Sequence, residues 1–377
     1  MDWNSFRKQF PTTERWAFFD HAAVSPLPAP CVAAMKEYVD DMAINGVVSF
    51  ERWNKRIDEA RQSAGQLLNA DPLDVAFVAN TTTGIGNIAE GFPWHPGDNV
   101  ITAAEEYPSN QYPWMNLRDR GVEVRAVASR GNRVALDDLR NAMDARTRVL
   151  AISAVEFASG FRNDLAALGE ICRSKSIFFF VDAIQSLGIF PMDVTQLPID
   201  ALSADGHKWL LGPEGAGVFW VRREWVDCLH PIGVGWHSVV GAADFSTIDF
   251  CLKPHAGRWE GGTANVAGIV GLGASLRVLL DVGIATISDR IRDLTDYLCE
   301  KAAGIGWNVF SSRAVEEKSG IVSLTKDGVS PWEAKKRCFA KGIVVNVRSG
   351  RLRVSPHAYN TFEEIDRLIA VLGQPVA

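Results

Sequence analysis

The sequence predicts an α/β protein. A large domain is built on a mostly parallel, seven-stranded sheet flanked by helices, and a smaller α+β domain follows at the C-terminus. Three observations carry this reading. From about residue 75, seven short β-rich runs alternate with helix-like segments. Those runs are nearly continuous in apolar residues, as strands buried on both faces must be. After about residue 260 the alternation gives way to two long helical stretches and then a hairpin pattern.

The candidate strands are "VAFVAN" (75–80), "NVITAA" (99–104), "VEVRAVA" (122–128), "RVLAIS" (148–153), "IFFFVDA" (177–183), "DALSAD" (200–205) and "AGVFWVR" (216–222). Amphipathic stretches lie between several of them. In "NDLAALGEICRSKS" (163–176), Leu165, Leu168, Ile171 and Cys172 share one face. Helices are expected over roughly 264–281 and 284–303, from the Ser330–Pro331 boundary signal, and over 361–372. A hairpin is expected near Ser349–Gly350. A chain of 377 residues is too long for one small core. The expected division is an N-terminal segment (1–17) packing on the small domain, a large ligand-binding domain (18–258) and a small domain (259–377).

Composition narrows the function classes. The net charge of −6 and pI near 5.7 argue against nucleic acid or an anionic membrane as the main partner. Six scattered cysteines with no C-x-x-C signal neither a disulfide framework nor a metal site. No signal-peptide h-region opens the chain, and the longest apolar runs are of strand length, so a cytoplasmic protein is expected.

In open parallel sheets, ligands bind outside the carboxyl ends of the strands. Asp182 ends the most apolar strand, and a carboxylate there is costly unless paired; in isolation it also reads as a cap or turn residue. Lys208, in "SADGHKWLLGPEGAG" (203–217), follows the next strand within an apolar frame. A buried acid for a ring nitrogen and a lysine for a carbonyl are what pyridoxal phosphate requires: the lysine forms the Schiff base and the acid keeps the pyridine protonated. "NTTTGIGNIAEGF" (80–92) follows a strand and opens a helix, a geometry that binds phosphate, although Thr and Asn there also serve as plain N-caps.

With these elements in hand, the sequence resembles fold-type I pyridoxal-phosphate enzymes of the class V aminotransferase group. That group includes cysteine desulfurases, selenocysteine lyases and isopenicillin N epimerase-like proteins. The resemblance runs from "FFDHAAVSPLP" (18–28) to "RVSPHAYNTFEEIDRL" (353–368), with "VDAIQSLG" and "ADGHKWLLGPEGAG" as its specific motifs. It implies that Lys208 carries the cofactor, Asp182 pairs with the pyridine nitrogen and Gln185 bonds the ring hydroxyl. It further implies that Thr81, Thr82 and His207 hold the phosphate and that Tyr107 stacks on the ring. Arg353 would clamp the substrate carboxylate. Thr263, in "RWEGGTANVAG", would reach the phosphate of a second copy in a homodimer. Arg348 and Arg351 read as surface charges, with either as the alternative clamp if the strand register is shifted.

Three departures qualify the resemblance. No cysteine stands in "GIVVNVRSGRLRVSPH", where desulfurases carry a nucleophile ahead of the arginine. Phe157 stands where desulfurases place an asparagine near the ring. Asp205 replaces a serine near the phosphate, and an extra carboxylate there is unfavourable unless it turns away. The resemblance implies an enzyme acting on an amino acid through a carbanion at Cα, first as a class V aminotransferase. An epimerase or a C–S/β-lyase of the same fold is the alternative, and a lapsed binding protein is the least expected.

Overall fold

The computed structural model describes residues 1–374; the last three positions of the expected C-terminal domain lie outside the described residues. The central sheet comprises β1 (Val75–Val78), β2 (Asn99–Ala103), β3 (Glu123–Val127), β4 (Thr147–Ser153), β5 (Phe178–Asp182), β6 (Ala201–Asp205) and β7 (Gly217–Val221). Its order is β1-β7-β6-β5-β4-β2-β3. The β2–β3, β2–β4, β4–β5 and β5–β6 pairs are parallel, and only β7 runs against the others. Phe178, Phe179, Phe180 and Val181 are fully buried because the sheet is covered on both faces, which is why these strands read as continuous apolar runs.

The principal helices among the described residues are α1 (Ala29–Asn45), α2 (Phe50–Leu68), α3 (Thr81–Gly91), α4 (Leu165–Ser174), α5 (Val266–Val282), α6 (Ile284–Gly304), α7 (Pro331–Ala340) and α8 (Phe362–Leu372). Helix α3 lies unusually close to the sheet. A Cβ added at Gly84 would stand 2.2 Å from Ser203 Oγ on β6, so only glycine lets the helix settle there. The α3 N-terminus is thereby carried to the strand ends.

The smaller sheet contains β8 (Asn308–Val309), β9 (Val322–Thr325), β10 (Asn346–Arg348) and β11 (Arg351–Val354), in the order β10-β11-β9-β8. The β10–β11 turn has Ser349 at φ 47° and Gly350 at φ 71°. Two consecutive left-handed residues make the tight turn whose twist suits a hairpin.

The expected boundary at 258/259 comes before the division of the cores. Helix α5 packs on α1 and α2, and Ile269, Leu272, Leu276 and Leu279 join the larger core with Ile287 and Ile291 of α6. The smaller core begins with Leu294 and Leu298, so the division falls within α6. Small residues permit this packing: a Cβ at Gly273 would stand 2.6 Å from Ala60 Cβ, and one at Gly271 would stand 2.7 Å from Met35 Cγ. At the N-terminus, Arg7 donates to Tyr359 O and Glu364, and Ala17–Phe18 pairs with Ile343–Val344. Among the described residues no single helix is long and apolar enough to cross a membrane.

Candidate active site

A cavity of about 310 Å³ opens at the carboxyl ends of the central strands. Lys208, Asp182, Gln185, Thr81, Thr82, Tyr107, His207 and Arg353 all line it. Thr263 does not; it is exposed on the loop before α5.

Asp182 ends β5 and Lys208 follows the end of the adjacent β6, so the sheet itself brings them together. Both are buried. Burial raises the Asp182 carboxyl to about 6, against the opposing pull of the Ile184 amide and the Lys208 ammonium. Burial lowers the Lys208 ammonium to about 8; Asp182 opposes that shift, while Arg353 and Arg348 add to it. Desolvation outweighs the attraction between the pair in both cases. Lys208 Nζ lies 5.5 Å from the Tyr107 ring centroid, and Tyr107 meets Phe157 edge-on at 5.3 Å. Gln185 is fixed by two bonds: its Nε2 donates to Ala22 O (3.0 Å), and its Oε1 accepts from Trp209 Nε1 (2.8 Å).

The α3 N-terminus forms the other wall. Asn80 caps it by accepting from the Thr83 amide, leaving the earlier amides of the first turn without intrahelical acceptors. The Asp205 amide donates to Thr81 Oγ1 (2.9 Å), so the Thr81 hydroxyl proton is available to an acceptor in the cavity. Thr82 Oγ1 donates to Ser109 Oγ (2.8 Å). Donors and a helix dipole here suit an anion. Asp205 is turned onto its own turn: Oδ1 accepts from the Gly206 amide (2.7 Å), and Oδ2 lies 2.8 Å from His207 Nδ1.

The small sheet supplies two arginines. Arg353 is only 1% exposed; its Nη1 donates to Phe157 O (2.9 Å) and its Nη2 to Asp20 Oδ1 (3.3 Å), while Nε has no partner. Arg348, expected on the surface, also lines the cavity. Asn346 pairs with Arg353 across the hairpin and Arg348 lies two residues beyond it, so Arg348 and Arg353 share a face. That parity was readable around the Ser349–Gly350 turn. Arg351 instead stacks over Phe310.

Sequence reasoning also missed two buried acids behind Asp182. Glu106 accepts from the Ser153 amide (2.5 Å) and hydroxyl, and Glu156 accepts from Asn163 Nδ2 (2.8 Å). Burial pushes Glu106 to about 8 and Glu156 well above the usual carboxylate range. Among the described residues no cysteine lines the cavity, and Cys338 is buried on α7.

A family model described as Aminotransferase class-V matches residues 17–368. The chain is 30% identical over 385 residues to a probable cysteine desulfurase of Methanothermobacter thermautotrophicus, covering 96% of this chain and 95% of the relative. It is 25% identical to the uncharacterized aminotransferase YcbU of Bacillus subtilis, covering 97% of this chain and 95% of that protein. Among solved structures, the apo cysteine desulfurase from Thermococcus onnurineus NA1 superposes with a TM-score of 0.90 at 25% identity, covering 98% of this chain and 97% of that one. With both sheets and every strand end that lines the cavity inside the matched span, the chain belongs to the class-V aminotransferase family of pyridoxal-phosphate enzymes.

Proposed function

We propose that the protein breaks a bond at the Cα of an amino-acid substrate, with transamination as its reaction. The observation that carries this reading is one buried lysine, depressed to about 8, sharing a cavity with a buried aspartate, a helix N-terminus and a buried arginine. The residues fit pyridoxal phosphate: a carboxylate for a protonated ring nitrogen, an aromatic face, and unpartnered donors for an anion. Asp182, Gln185 and Tyr107 would hold its ring, and Thr81, Thr82 and His207 its phosphate. When bound, the cofactor supplies a conjugated ring that delocalises the electrons left at Cα.

The chain's own residues do the rest. Near neutral pH an appreciable fraction of Lys208 is unprotonated, so Nζ can accept the Cα proton and return it. The Asp182 carboxylate would accept a hydrogen bond from a protonated ring nitrogen, and its burial would keep water from that contact. Arg353 offers Nε and a planar fork to a substrate carboxylate. Phe157 makes the wall beside Tyr107 apolar.

C–S or β-lysis is the second reading, favoured by the desulfurase names of relatives. Cleavage through a protein persulfide is disfavoured, because among the described residues no cysteine lines the cavity. We further propose a homodimer in which Thr263 completes the partner's anion subsite. Exposed apolar residues on the preceding segment of the chain, including Phe245, Ile248 and Phe250, suit a covered face. Six unpaired cysteines suit a reducing, cytoplasmic setting.

The test mixes loaded enzyme with single L-amino acids and no keto acid. One equivalent of keto acid per site supports transamination. Continuing release of keto acid and ammonia supports lysis, and appearance of the D-enantiomer supports epimerisation. Borohydride trapping of the cofactor on Lys208, read by peptide mass and lost in Lys208→Ala, tests the lysine itself.

A further inference from the structure

We infer that Arg348 is a second anion-recognising arm of the cavity, and that the substrate is an α-amino acid carrying a second acidic group on its side chain. This deepens the reading above and rests on it.

Arg353 and Arg348 differ in their commitments. Arg353 is buried, tied to Asp20 and Phe157 O, and keeps one unpartnered donor, Nε. A buried guanidinium with an orphaned N–H points to a ligand acceptor, because leaving such a group unsatisfied is costly. Arg348 is half-buried and donates only to neutral acceptors, Asn346 Oδ1 (3.2 Å) and Val347 O (3.0 Å). Among the described residues no carboxylate lies within 4.0 Å of its guanidinium, whereas Asp20 already serves Arg353 and Asn346. One carboxylate of the substrate therefore leaves a guanidinium in the same cavity without an ion pair.

Their placement suits two anions joined by a short spacer. On the hairpin, Arg353 stands opposite Asn346 and Arg348 opposite Arg351. Arg348 and Arg353 are thus diagonal neighbours on one face, with bases about 7–8 Å apart. Two forks at that spacing can grip an α-carboxylate and a side-chain acid at once. A neutral side chain would leave the half-buried Arg348 without an anionic partner, and a site built to bind an acid discriminates against the neutral analogue. The chemistry recognised is a second carboxylate or a like acid.

The experiment uses loaded enzyme and two isosteric pairs, L-aspartate with L-asparagine and L-glutamate with L-glutamine. The readout is the concentration giving the half-maximal change in cofactor absorbance. In at least one pair the acid should bind about tenfold more tightly, or better. Arg348→Gln should collapse that ratio to near unity, and Arg348→Lys should restore part of it, as a point charge without the fork. Equal binding of acid and amide by the wild type overturns the inference. So does an Arg348→Gln variant that weakens both members of a pair by the same factor, which would place Arg348 on the α-carboxylate. If no amino acid alters the absorbance, the proposed function itself falls. If amino acids react without preference for the acids, only the assignment of Arg348 falls.

Discussion

Replacing Lys208 by methionine should stabilise the cofactor-free protein. The reasoning starts from the ammonium, which burial lowers from its ordinary 10.5 to about 8. That displacement corresponds to roughly 3 kcal/mol spent on holding the charge inside the fold at neutral pH. Methionine is similar in length, carries no charge and suits an apolar frame. Part of the gain is cancelled because Asp182, at about 6 with Lys208 present, loses its neighbouring cation. The net expectation is a gain of about 1–3 kcal/mol at pH 7.

The sign across pH gives the test its force. Below the folded value of about 8, the native lysine holds its proton and the full cost applies. Between about 8 and 10.5 the native lysine is neutral while the unfolded one is still charged, so the cost shrinks as pH rises. Above 10.5 it is absent. Urea unfolding of wild-type and Lys208→Met protein, both free of cofactor, should show a stability gap at pH 7 that narrows by pH 10. A variant less stable than wild type at pH 7, or a gap that stays constant, would refute burial as the cause of the depressed lysine. Stability surrendered at one residue in this way is what a site held for chemistry is expected to show.

Other outcomes follow from particular contacts. Gly84→Ala should cost about 1–3 kcal/mol in urea unfolding and weaken cofactor binding, by lifting α3 from β6; Ser203→Gly in the same chain should recover much of both, since the clash is with Ser203 Oγ and Cβ. Arg353→Lys should raise the half-saturating concentration of every amino acid about tenfold or more, acids and amides alike, because an ammonium cannot replace the fork. If Thr263 serves a partner's cavity, mixing inactive Lys208→Ala with weakened Thr263→Ala protein should restore activity. One site of the mixed dimer then holds both residues, and absence of complementation after subunit exchange would refute the shared site.

The sequence discloses most where a physical constraint acts locally. Strands β4 to β7 were legible because burial on both faces forces apolar runs, and the Ser349–Gly350 hairpin because its turn needs left-handed residues. Asp182 and Lys208 stood out because a charge in an apolar frame demands a reason. Arg348 did not, since an arginine in an alternating strand usually faces solvent. Parity around the turn puts Arg348, Arg351 and Arg353 on one face, and only the tertiary packing, which sets Arg351 over Phe310, separates Arg348 from Arg351. Helix α5 was assigned to the small domain from its position in the chain, whereas Gly271 and Gly273, the residues that seat it on α1 and α2, read as ordinary helix glycines. Glu106 and Glu156 were invisible for a different reason. Their partners, Ser153 and Asn163, are brought to them by tertiary structure.

That same region explains how Arg353 on the small sheet is held in register with Lys208 at the end of the large one. The segment from Val155 to Arg162 leaves the end of β4 and returns as a narrow loop closed by a bridge between those two residues. Its carbonyls accept hydroxyl protons from the small sheet and the loop beside it. Ser323 donates to Ala158 O (2.6 Å), Ser311 to Ser159 O (2.5 Å) and Ser319 to Gly160 O (2.6 Å). Arg353 donates to Phe157 O in the same series. Gly160, at φ 74°, cannot carry a side chain here, because a Cβ would stand 2.4 Å from Ile321 O. Four consecutive carbonyls thus lock the small sheet to the end of β4, the strand beside Asp182. Each bond alone contributes about 1 kcal/mol. Together they fix Arg353 relative to Lys208 more tightly than apolar packing would, since packing tolerates sliding and a row of directed bonds does not.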